Sequence, residues 1–110
     1  MLNVKPVIVT NLFPLERRAL LDLLKTLNDK QWNSDTICKG WNVKDIVQHL
    51  LKDDIGILSR KRDGFRLPNS STKEFKSNRE FVDYINSQNQ EWVNISKSFS
   101  PQLLIDFLKL

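Results

Sequence analysis

Apolar residues along the chain recur at three- and four-residue steps, and polar or glycine-containing stretches interrupt them at intervals of helical length. This is the pattern of amphipathic helices rather than of strands. The first helix follows "TNLFP": Pro14 suits a first turn, Glu16 favours its positive end, and Leu15, Leu20, Leu23, Leu24 and Leu27 form the stripe until Asn28 and Asp29 stop it. The preceding "VIVT" is strand-like but has no second strand to pair with, and reads as an extended arm. A second helix opens at Asn42, which can cap the free amides of Val43 to Asp45, with Asp45 completing a capping box. Its stripe is Val43, Ile46, Val47, Leu50, Leu51, Ile57 and Leu58, interrupted by Gly56 and closed by Asp63-Gly64.

A polar linker from about Arg66 to Ser77 leads to a third helix opened by Ser77 or Asn78, on which Phe81, Tyr84, Ile85, Gln88, Trp92, Ile95 and Phe99 recur in nearly seven-residue steps. Gln88 is the polar member. Ser100-Pro101 then starts a fourth helix, whose "QLLIDFLKL" reaches the last residue without a stop signal. The predicted class is all-α, an up-down helical bundle. The unstopped apolar helix leads to the expectation of an incomplete or missing last helix, or of a partner that covers an open one.

Composition narrows this without redirecting it. At 110 residues and 40% hydrophobic, the chain is one domain's worth of core. Its longest apolar runs fall far short of the roughly 20 residues that span a bilayer, so no membrane segment is expected. The single Cys38 excludes an internal disulfide and agrees with a reducing, cytoplasmic setting. The net charge of +4 is concentrated: residues 58–76 hold six Lys/Arg against two Asp/Glu. Arg60, Lys61, Arg62 and Arg66 could attract nucleic acid, but a solvated helix end is the commoner meaning of such a run, and nucleic-acid binding is not expected.

Candidate chemistry gathers on the second helix. Placing its apolar stripe around Val47 and Leu50 puts Asp54 near the middle of that stripe, at about 100° per residue. A carboxylate there needs an ion pair with an arginine, a hydrogen bond to Tyr84 or a tryptophan, or a ligand cavity. His49, the only histidine, sits at the stripe's edge with Asp53 one turn on. Imidazole plus carboxylate suits zinc, nickel or iron, although two ligands do not complete a site, and a boundary histidine is the plainer reading. Cys38 reads as a small residue packed beside Trp41 rather than as a nucleophile.

"LLDLLKTLNDKQWNSDTICKGWNVKDIVQHLLKDD" resembles the opening of the DinB-like superfamily, in particular the branch carrying the metal-binding N-terminal domain of mycothiol-dependent maleylpyruvate isomerase. Trp32, Thr36 to Cys38, Gly40-Trp41, Val43, Asp45-Ile46 and His49-Leu50 carry the likeness. The resemblance implies a four-helix bundle in which His49 is the first ligand of a divalent metal, zinc or nickel, completed by ligands on a later helix. It also implies a low-molecular-weight thiol and chemistry on a small molecule. On that basis His49 and Asp53 are the expected metal residues, and Asp54, Trp41, Tyr84, Gln88 and Trp92 the expected lining of a cavity. The alternative is a non-catalytic module that forms a homodimer through its open C-terminal helix.

Overall fold

A computed structural model describes residues 13–66 and 74–110. The described chain is helical: α1 (Phe13–Thr26), α2 (Asp29–Trp32), α3 (Val43–Ile57) with a π-helical turn over Leu58–Arg62, α4 (Asn78–Ile95) with a 3-10 turn over Ser96–Ser98, and α5 (Pro101–Leu108). The all-α expectation holds. Among the described residues no helix is long and apolar enough to cross a membrane. The "VIVT" arm and the middle of the linker lie outside the described residues.

The expected start signals act as start signals. The Asn42 side chain accepts from the Asp45 amide while the Asp45 carboxylate accepts from the Asn42 amide, closing the capping box on α3. Ser77 and Ser100 cap α4 and α5 through the Glu80 and Leu103 amides, with Pro101 in the first turn of α5. At the far end of α3, Asp63-Gly64 stops the chain, with Gly64 at φ 63°. Asn28 has a second role that its reading as a stop signal misses. Its side chain accepts from the Gln31 amide, the Gln31 side chain accepts from the Asn28 amide, and this second capping box starts α2. The single turn it holds delivers Trp32 to the core.

α3 is the central element, touching α2, α4 and α5, while α1 packs on α5. Leu24 and Trp32, Val47 and Leu51, and Leu104, Ile105 and Leu108 form one buried cluster, with Leu20, Leu21, Leu27, Val43, Trp92 and Phe99 packed around it. Lys44 meets Lys97, Gln48 meets Val93 and Ser96, and Lys52 meets Asn89. Because the partners descend as α3 ascends, the two helices are antiparallel.

Three apolar stripes differ from expectation. On α1, Leu24 is buried but Leu15 and Leu23 face solvent. On α3 the buried face centres on Val47, Gln48 and Leu51 rather than on Val47 and Leu50, because Gln48 goes inward fully hydrogen-bonded. On α4 the buried position is Val93 near the C-terminal end, followed by Ser96 in the 3-10 turn, with Phe81, Ile85 and Ile95 exposed. α5 is not open along its apolar face: Leu104, Ile105 and Leu108 are buried in this chain's own core, and Leu103, Phe107 and Leu110 remain outward.

Candidate functional site

The loop between α2 and α3 builds the ground on which His49 sits. The Thr36 hydroxyl donates to the Trp41 carbonyl at 2.8 Å and accepts from the Cys38 amide, the Val43 amide donates to the Ser34 carbonyl, and Asp35 bridges Asn42. Gly40, at φ 85°, supplies the left-handed turn that lets the chain double back. The result presents Trp41 to α3 and α4. Its indole N–H donates to the Gln90 side chain at 2.9 Å, and its ring lies 5.5 Å from that of His49, tilted by 47°. Cys38 is exposed in this loop, so the expected packing beside Trp41 is not what the loop provides. Loop closure is carried by Thr36 instead.

His49 and Asp53 are brought together. The His49 Nε2 lies 3.5 Å from the Asp53 Oδ2, one turn apart on α3. His49 stays about three-quarters covered, with a side-chain exposure of 26%. Its Nδ1 is buried without a hydrogen-bond partner. At about 100° per residue, both His49 and Asp53 stand about 160° from Leu51, on the side of α3 turned away from the core. Two atoms bound at about 2.0–2.2 Å to one tetrahedral ion stand about 3.3–3.6 Å apart, so the pair has the spacing of two ligands. A closed site needs three or four. Among the described residues no group of three or more His, Cys, Asp or Glu could hold a metal ion. The pair therefore stands, among the described residues, as two possible donors with no third beside them.

Asp54 lies about 60° from Leu51 and turns toward α1. The Arg17 Nη2 donates to its Oδ1 at 2.9 Å, and Nη1 approaches Oδ2 at 2.7 Å without the alignment of a hydrogen bond. Of the readings open for Asp54, the structure contains the arginine ion pair. Trp92 turns inward, its indole N–H donating to the Gln48 carbonyl at 2.6 Å and its ring edge-on to Phe99. On the N-terminal half of α4, Tyr84 accepts from the exposed Gln88 side chain at 2.7 Å and lies beside Phe75. Asp54 is thus paired with α1, the Tyr84–Gln88 pair sits on the N-terminal half of α4, and Trp41 and Trp92 contact the adjacent residues His49 and Gln48 of α3. An open cleft along α1 is lined by Arg17, the partner of Asp54, with Arg18, Leu21 and Lys25, and another lies between Leu27, Trp32 and Pro101.

A polar cluster that the sequence reading missed joins α3 to α4. Gln48 donates to the Val93 carbonyl at 2.9 Å and to the Ser96 hydroxyl at 2.6 Å, and accepts from Lys44 at 2.8 Å. The Ser96 hydroxyl in turn donates to the Trp92 carbonyl. Lys44 also donates to the Lys97 carbonyl, and Lys97 reaches the buried Asp45 at 3.6 Å. Burial holds the Lys44 ammonium below the ordinary lysine pKa, partly opposed by Asp45 and assisted by the Lys97 charge. The only sequence signal was a glutamine next to the apolar pair of positions on α3.

With this geometry in view, comparison with protein families is decisive on one point. Residues 13–108 match the family described as mycothiol maleylpyruvate isomerase N-terminal domain. The chain belongs to that family. The match runs from the first residue of α1 to the last of α5, so α3 with His49 and the loop with Trp41 lie within the matched span. Comparison with curated proteins and with solved structures finds no match.

Proposed function

We propose that this mycothiol maleylpyruvate isomerase-type domain serves thiol-dependent transfer or isomerisation of a small molecule, with His49 and Asp53 as two of the ligands to a divalent ion, zinc or nickel. The observation that carries this reading is the 3.5 Å approach of the His49 Nε2 to the Asp53 Oδ2 on the outer side of α3, within the family match. A divalent ion in this family's setting supplies acidity: it favours the thiolate over the thiol of a bound low-molecular-weight thiol. The residues present contribute two donors and a tryptophan wall, and the remaining donors come from outside this pair.

Calorimetric titration with zinc and nickel chloride tests the reading. Weak binding, as two donors allow, is expected in the native chain, abolished in His49→Ala and further weakened in Asp53→Ala, with helical circular dichroism unchanged in both. Heat that is absent from the native chain, or identical in His49→Ala, rejects the metal role.

A further inference from the structure

The Trp41 indole is tied to α4 rather than to its own loop. Its N–H donates to the Gln90 Oε1 at 2.9 Å, and the Gln90 Nε2 donates in turn to the Asn94 Oδ1 at 2.9 Å, one turn further along α4. The second bond orients the first: a glutamine amide has a donating and an accepting end, and with its nitrogen given to Asn94 its oxygen is left for the indole. Gln48 and Val93 face one another across the helix pair. At about 100° per residue, His49 stands about 100° from Gln48 on α3, and Gln90 about 60° from Val93 on α4. Because the helices are antiparallel, both rotations lead to the side of the pair away from Leu51, and Trp41 bridges the two helices there.

His49 has no other firm support. A histidine that ligates an ion through one ring nitrogen usually donates from the other to a carboxylate or carbonyl, and that bond fixes the plane of the ring. Here the Nδ1 is buried and, among the described residues, has no such partner. On the Nε2 side Asp53 is 55% exposed and 3.5 Å away, at the limit of a hydrogen bond. The Trp41 ring, 5.5 Å from the imidazole between centroids, is then the contact that can fix its plane. With the indole N–H pinned to Gln90, that contact is a fixed wall, and a side chain against a fixed wall has fewer rotamers open to it.

We propose that Trp41 and Gln90 are positioning residues for His49: Gln90, oriented by Asn94, anchors the indole, and the indole holds the imidazole with its Nε2 turned to Asp53. The inference rests on the proposed use of His49 as a metal donor, since a donor already held in place loses less freedom when an ion binds. It gives α4 a part in a pair of donors that both belong to α3.

Proton NMR at fixed pH tests it, because His49 is the only histidine and its ring protons can be identified directly. In the native chain their shifts are expected to carry the ring current of Trp41. Gln90→Leu, which removes the acceptor and keeps most of the volume, is expected to move them toward their positions in Trp41→Leu. The helical circular dichroism and the methyl signals of Val47 and Leu51, in the core, stay unchanged. Gln90→Glu keeps an oxygen for the indole and is expected to leave the His49 signals near native. In zinc titrations Gln90→Leu, which alters neither donor, is expected to raise the dissociation constant about threefold, the size of one modest hydrogen bond. His49 signals unmoved in Gln90→Leu, moved equally in Gln90→Glu, or moved only together with the core methyls overturn the proposal. So does native zinc binding that Gln90→Leu leaves unchanged. A native chain that binds no zinc rejects the metal role instead, and the ring signals alone then decide for Trp41 and Gln90.

Discussion

Gln48 has no solvent exposure, yet its amide hydrogens and its carbonyl oxygen all have partners. A buried amide of this kind contributes modestly while it is satisfied and costs much when it is broken, because the groups left behind lose water as well as partner. Gln48→Ala strands the Ser96 and Val93 acceptors beside a cavity and is expected to lower stability by about 3 kcal/mol in urea unfolding. Gln48→Leu combined with Ser96→Ala removes both sides of the bond and keeps most of the volume. The pair is therefore expected to destabilise by less than the sum of its single changes, a coupling readable in a double-mutant cycle. The Arg17–Asp54 pair is a weaker contributor: with side-chain exposures of 37% and 26%, solvent screens it, and a value of up to about 1 kcal/mol applies.

At the scale of elements, the caps carry the legible information and the faces do not. Asn42, Ser77 and Ser100 could be placed as helix starts because a short polar side chain ahead of an apolar period has one clear use. Asn28 was legible as an end but not as a beginning, since its cap serves only one turn, too short to show a period. The orientation of α3 was illegible for a different reason. Counting apolar residues alone set its centre at Val47 and Leu50, whereas three hydrogen bonds allow Gln48 inside and shift the centre toward Leu51. His49 moves with it from the edge of the buried stripe to the outer side. His49 and Asp53 could still be paired from their spacing, because an i, i+4 relation survives any rotation of the helix. The cap on α3 is open to test: Asn42→Ala removes the acceptor for the Asp45 amide and is expected to cost about 1 kcal/mol, with thermal unfolding as the readout.

For the whole molecule, the decisive feature is that helices distant in sequence share one small core. Leu24 from α1, Trp32 from α2, Val47 and Leu51 from α3, and Leu104, Ile105 and Leu108 from α5 belong to a single cluster, so the last helix is a structural member rather than an appendage awaiting a partner. Leu104 is completely buried and Leu103, its neighbour, is 37% exposed. If α5 closes the core as described, Leu104→Ala leaves a cavity that α1 and α3 cannot both fill, and it is expected to destabilise the fold by about 2–5 kcal/mol. Leu103→Ala is expected to cost less than about 1 kcal/mol, since it removes area already half in water. Equal losses in the two variants, measured by urea unfolding at low protein concentration, mean that α5 is docked on a different face. A larger loss at Leu103 means that the outward side of α5 is the buried one, with a partner on it rather than this chain's own core.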